Sequence, residues 1–414
     1  MTTCGIAALA TGGVILRPWG LPEAIWAVAG AAVLVVAGLL PATDAWRGVA
    51  RGTDVYLFLI GMMLLAEVAR REGLFDWLAA HAARAAHGSG RRLFVLIYGV
   101  GTVVTAFLSN DATAVVLTPA VAAVVRAAKA EHPLPYLLTC AFIANAASFV
   151  LPISNPANLV IYGRHMPPLL DWLPRYALPS AAAIAATFAA LWLTQRSALR
   201  QAIATEIDIP RLGTGGRIAA AGIALTAPAL LAASALDWQL GLPTCLAGAA
   251  TAAAVLAARP SQASDVLRGI SWGVLPLVAG LFVLVEALDH TGLLARLAAL
   301  LHAAAARTPD GTAWGTGILL ALACNVMNNL PAGLIAGSAV QAAHVAPPIA
   351  GSVLLGIDLG PNLSVTGSLA TILWLGALRR EGLAVGAGAF LRLGLIVMPP
   401  ALIAALAALL LAGR

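Results

Sequence analysis

Charge is scarce in this sequence. Only 10% of its 414 residues are Asp, Glu, Lys or Arg, against about 25% in an average soluble domain. A soluble chain of this length needs far more polar surface to stay dispersed. The same shortage excludes a disordered segment and a coiled coil. Cysteine is also sparse: Cys4, Cys140, Cys245 and Cys324 lie far apart, none in CxxC spacing. That excludes a disulfide framework and gives no reason to expect a metal site. Residues 1–16 lack a basic n-region and a small-residue cleavage site, so they read as a short first span, not a removed signal. The net charge is +6, but the basic residues stand singly between apolar runs. This is the pattern of topology control and not of a nucleic-acid face. What is abundant is apolar: 61% of the chain belongs to the set AVILMFWYC. The fold class this implies is an all-α polytopic membrane protein of a plasma membrane.

A bilayer core of about 30 Å takes about 20 apolar residues per helix. Runs of that kind fall at 2–16, 22–40, 54–70, 93–125, 135–162, 174–194, 217–236, 240–258, 272–289, 313–345, 347–378 and 392–412. Windows 93–125 and 313–345 are too long for one crossing. Polar residues interrupt both: Ser109, Asn110 and Asp111 in the first, Asn328, Asn329 and then Pro331 in the second. Each is either a pair of short crossings or a re-entrant hairpin. With both as hairpins and loop 70–92 cytoplasmic, 17 of the 24 basic residues lie inside and 7 outside. The seven are Arg47, Arg51, Arg164, Arg175, Arg296, Arg307 and Arg414. The split sets the orientation but does not separate hairpins from double crossings.

The chain also repeats itself. Residues 60–67 align with 279–286 at an offset of 219, bringing Gly61 onto Gly280 and Glu67 onto Glu286. Gly73 and Gly292 keep that offset. The polar breaks pair Asn110 with Asn328 and Asp111 with Asn329 at 218; Asn145 pairs with Asp358 and Asn155 with Ser368 at 213. The expected organisation is a first repeat over 1–195, a cytoplasmic linker over 196–216 and a second repeat over 217–414. Each repeat holds five crossings and one hairpin, and an odd number of crossings inverts the second relative to the first. Inverted repeats with broken helices meeting at the midplane are the architecture of secondary transporters. Irregular backbone at that depth survives where it is buried or lines a cavity.

Few polar groups lie deep in the apolar windows. Asp111 and Asp358 stand out, because an ionisable group at membrane depth marks by default a pathway or a proton relay. Asn110, Asn155, Asn328, Asn329, Thr366 and Ser368 are the candidate substrate-binding residues. Ser109, Asn145, Ser154, Asn158, Pro331, Gly360 and Pro361 are expected to support the hairpins and broken helices, with proline interrupting the helix. Amides also cap helix ends, and capping and lining are compatible roles. Glu67 and Glu286 read as interfacial ion pairs with Arg70 and His290, one turn away. The ten tryptophans, among them Trp19, Trp46, Trp172, Trp238 and Trp272, read as an interfacial belt.

At these residues the chain resembles a known family. Phe107-Leu108-Ser109-Asn110-Asp111-Ala112-Thr113, Met327-Asn328-Asn329-Leu330-Pro331, and Gly360-Pro361 followed by Gly367-Ser368-Leu369-Ala370-Thr371 resemble the bacterial arsenite/antimonite efflux permeases. These are the arsenical pump membrane proteins of the ion transporter superfamily. The resemblance implies export of trivalent arsenic or antimony hydroxide driven by protons, in some operons with a soluble arsenite-stimulated ATPase. This chain has no Walker A motif, so ATP use would need a separate subunit. Dicarboxylate carriers of the superfamily typically have Ser-Asn-Thr at both tips. Here the tips read Ser-Asn-Asp and Met-Asn-Asn, which suits proton coupling better than a sodium cage.

The expected cargo, neutral As(OH)3 or Sb(OH)3, is a small polyol that amides and hydroxyls can match without a cation. Asp111 or Asp358 would take a proton from outside and release it to the cytoplasm. One proton moving down 100 mV supplies about 2.3 kcal/mol, which sustains about a 40-fold solute gradient. The nearest rival is a sodium- or proton-coupled di- or tricarboxylate (citrate-like) transporter. An intramembrane enzyme has no HExxH or GxSxG motif to support it.

Overall fold

The computed structural model describes residues 1–163, 166–257 and 260–412; Arg164, Arg259 and Arg414, used above to count charges, lie outside them. Among the described residues helix is the only regular secondary structure, apart from one isolated bridge, Ser89 to Ala202. Five helical stretches, 90–108, 169–195, 214–235, 263–290 and 387–412, are long and apolar enough to cross a bilayer. A sixth candidate is the pair Ala42–Arg51 and Thr53–Arg71, bent by 45°.

Both long windows break at one residue. Gly90–Leu108 ends at Ser109, and a second arm runs over 110–127 through a π turn at Thr113–Leu117. Pro309–Met327 ends at Asn328, and Asn329–Ala343 follows. The first break reverses the chain. Thr105 Oγ1 and Thr113 Oγ1 are 2.8 Å apart, whereas a straight helix would separate them by about 12 Å. A tip that reached the far membrane face would be solvated. Ser109, Asn110, Asn328 and Asn329 are all buried, so both elements are re-entrant hairpins. The broken helices are Leu134–Ala146 with Pro156–Tyr162, and Pro347–Leu359 with Leu369–Arg380.

Helix bounds recur between the halves. The first hairpin arm starts and ends 219 residues before its counterpart, and the broken helices keep an offset of 213. Gly73 and Gly292, both at positive φ, begin the equivalent helices Leu74–Ala85 and Leu293–Arg307. These two short helices occupy stretches that hydropathy left as loops, because their polar faces hide them from a span search. The hairpin offset corrects the expected pairing of the tips. Ser109 is equivalent to Asn328 and Asn110 to Asn329, so Asp111 faces Leu330 in the alignment.

Packing crosses between the halves. Thr53–Arg71 lies against Gly241–Ala257, and Val274–His290 against Glu23–Val36. At the first crossing, a Cβ on Gly61 would run into the Thr244 backbone. Of the two repeated glutamates, one makes its ion pairs within its own helix and the other across the halves. Glu67 is held by Arg70 (2.6 Å) and Arg71 (2.6 Å), while Glu286 pairs with Arg51 from the first half. The expected partner of Glu286, His290, turns instead to Asp44 at 3.4 Å. Trp19, Trp46, Trp238 and Trp272 are exposed, but Trp172 is fully buried and donates to Phe149 O at 3.2 Å.

The linker between Gln195 and Thr214 is strapped to the base of the first hairpin. Gly90 N donates to Gln201 O, Ile203 N to Gly88 O and Ala204 N to Ala128 O. Gln201 also clasps both backbone groups of His132. Leu199, Ile203 and Ile207 are buried beneath it.

Candidate functional site

Four helix N-termini begin at the centre, and each has a polar cap. Ser109 Oγ accepts from Ala112 N (3.4 Å) and Asn328 Oδ1 from Leu330 N (3.4 Å) at the tips. Asn155 Oδ1 accepts from Ala157 N (3.0 Å) and Ser368 Oγ from Thr371 N (3.2 Å) after the breaks. These caps satisfy donors that would otherwise be stranded at membrane depth.

Side chains also hold the unwound backbone. Asn158 Nδ2 donates to Ser148 O, Leu151 O and Pro152 O. Ser154 Oγ donates to Ala106 O at 2.9 Å. Asn145 Nδ2 reaches across to Asn362 Oδ1 at 3.0 Å. In the second half, Asn325 is the hub: its Nδ2 donates to Gly360 O (3.1 Å), and it accepts from Ser364 Oγ (2.6 Å) and Thr366 Oγ1 (2.7 Å). Gly360 and Pro361 open the turn there and are buried.

A cavity of about 550 Å³ leads to this centre. Its mouth carries Glu67, Arg70, Asp76 and Arg380, and its inner end Ser109 and Asp111. Beyond lies a pocket of about 10 Å³ lined by Asn110, Asp111, Asn155, Asn329 and Ser368, room for about one water. Both hairpins and both broken helices therefore contribute to one pocket, and among the described residues no Lys or Arg lines it. The Asp111 carboxyl is only part-buried and makes no hydrogen bond or ion pair with the described residues, which leaves it free toward the cavity.

The structure thus brings together five of the eight sequence candidates for binding and coupling. Asn328 does not join them: it caps its tip, donates to Thr366 O and, with Pro331, borders a separate small pocket on the side of Val14 and Glu23. Thr366 is occupied within the second break. Asp358 lies one residue behind the pocket, where its Oδ1 accepts from Asn155 Nδ2 at 2.7 Å. The mouth residues Asp76 and Arg380 were not singled out by sequence; Asn325 was legible there as a polar residue of the second tip, but not as the hub. The mouth pair gave no signal because charged groups at helix ends are ordinary.

Comparison with known proteins identifies the family. The citrate transporter family matches residues 8–356. An arsenical pump membrane protein of Yersinia enterocolitica is 30% identical over 96% of this chain and 95% of its own length. One from Escherichia coli K12 is 30% identical over the same shares. The crystal structure of the Alcanivorax borkumensis YdaH transporter, described as having an unusual topology, superposes with a TM-score of 0.61. It is 18% identical and covers 89% of this chain and 86% of that one, so it speaks for the fold alone. The chain is a multi-pass bacterial membrane transporter and not an enzyme. It belongs to the arsenical pump membrane protein family of the ion transporter superfamily.

Proposed function

We propose that the chain exports trivalent arsenic or antimony hydroxide from the cytoplasm in exchange for protons. The observation that carries this reading is the pocket between the hairpin tips: amides, a hydroxyl and one carboxyl, with no cationic side chain among the described residues. A neutral trihydroxide presents donors and acceptors that such groups match, whereas a di- or tricarboxylate would find no counter-charge there. The names of the relatives point to the same cargo. The cysteines do not form a thiolate site: Cys140 and Cys324 are buried in helix packing, and neither they nor Cys4 and Cys245 line the cavity.

In this reading 1–195 and 217–414 are two repeats of inverted topology joined by the linker 196–216. The mouth at Arg70 and Arg380 then faces the cytoplasm. Solute enters the wide cavity, and the tips must part to admit it, since the inner pocket holds about one water. Asp111 and Asp358 are the acids available to carry the exchanged proton.

The test is arsenite accumulation in everted vesicles energised by respiration, with wild type beside Asp111→Asn. Uncoupler-sensitive accumulation that is lost in the variant is the expected result. No accumulation of arsenite or antimonite by an inserted protein would overturn the reading. Proteoliposomes of the purified chain should accumulate arsenite from a pH gradient without ATP or an ATPase subunit.

A further inference from the structure

Where the two broken helices stop, each sends a polar side chain into the other half. Asn145 bonds Asn362, and Asp358 bonds Asn155. Positions 145 and 358 are equivalent at the offset of 213, yet one is an amide and the other an acid. Asp358 is 1% exposed, and its Oδ2 is buried without a hydrogen-bond partner. The Ser148 hydroxyl approaches the carboxyl, but its proton goes to Asn145 O at 2.7 Å. What remains toward Asp358 is an acceptor. The titratable groups facing it from neighbouring elements are Cys324 on the second hairpin and Tyr176 on Leu169–Gln195. Cys324 Sγ is directed to Ile357 O, and the Tyr176 hydroxyl pairs with that of Tyr162. Asp358 has no ion-pair partner among the described residues.

Asn155 has two fixed bonds. Its Oδ1 caps Pro156–Tyr162 and its Nδ2 meets Asp358, while its side chain forms part of the pocket wall. We propose that Asp358 carries the exchanged proton on Oδ2 and is a positioning residue, coupling that proton to the pocket through Asn155. This rests on the proton-antiport reading; Asp111 is then the acid that faces the solute. When the proton leaves Oδ2 to water, the carboxylate grips the Asn155 amide through a charge-assisted bond. When it returns, the grip loosens and Asn155 gives up its fixed place in the pocket wall, so that cargo is released and proton and cargo occupy the protein in turn, as exchange requires.

Infrared spectroscopy of the full-length protein in lipid nanodiscs, scanned over pH without any solute, tests the assignment. The carbonyl stretch of a protonated carboxyl should titrate in wild type, vanish in Asp358→Asn, move in Asp358→Glu and persist in Asp111→Asn. Asn155→Ser, which removes the amide donor, should displace its titration. A band that survives Asp358→Asn, or that disappears in Asp111→Asn instead, overturns the proposal. In proteoliposomes Asp358→Asn should lose the gradient of about 40-fold that one proton per 100 mV sustains, and its transport rate should no longer vary with pH. A wild-type pH profile in that variant would also overturn it. If wild type moves neither arsenite nor antimonite while the band belongs to Asp358, the cargo reading alone fails.

Discussion

Ser109 (φ 135°, ψ 164°) and Asn328 (φ 70°, ψ 153°) hold the chain in a corner that glycine alone enters freely. Such a corner costs about 1–3 kcal/mol and persists where its surroundings over-determine it. Each side chain recovers part of that as a cap worth about 1 kcal/mol. Alanine removes the cap and keeps the strain, whereas glycine removes both. Ser109→Gly should therefore be more stable than Ser109→Ala by about 1–3 kcal/mol, measured as thermal unfolding in one detergent, and the pair at Asn328 should behave alike. Equal midpoints would mean the tips are relaxed. The polar tips were legible in the sequence because so few polar residues interrupt the apolar windows. Their register was not. Letter matching set Asn110 on Asn328, but what recurs is a backbone corner, occupied by serine in one half and asparagine in the other. Nor could the sequence tell that Thr366 and Asn328 turn away from Asn110, Asn155, Asn329 and Ser368, since that depends on how the second break folds back over Asn325.

At the scale of elements, the crossing of Thr53–Arg71 with Gly241–Ala257 depends on small residues, as membrane helix contacts commonly do. Gly61→Ala would push a Cβ into the Thr244 backbone, an overpacking that costs about 1–3 kcal/mol. Gly99, inside Gly90–Leu108, has open space at the same position. Gly99→Ala should gain up to about 1 kcal/mol of helix propensity. One substitution with opposite signs at two helical glycines is readable as two unfolding midpoints, and a common sign would contradict the packing described. Hydropathy located the spans but missed the short helices Leu74–Ala85 and Leu293–Arg307. Local spacing, for its part, misassigned the partner of Glu286. Arg51 lies 235 residues away in sequence, and local spacing cannot show a contact made between halves.

At the scale of the molecule, the inverted arrangement predicts opposite exposure at the two ends of Thr214–Ala235. In a variant with all four cysteines replaced by serine, which should still transport, a cysteine at exposed Glu206 should react with a membrane-impermeant maleimide only from the cytoplasm. One at Asp237 should react only from outside. Labelling of both from one face would break the topology. The repeat made this order readable, because glycines, glutamates and polar breaks recur in sequence. What it concealed is that the connection between halves is not a passive tether. The linker is hydrogen-bonded along Gln201 to Ala204 to the entrance and exit of the first hairpin. Cutting the gene in two therefore has a correct place. Halves separated after Leu212 keep the strap with the hairpin it closes and should complement each other when co-expressed. Halves separated after Arg196 leave the strap on the wrong fragment, and their reassembly should be impaired.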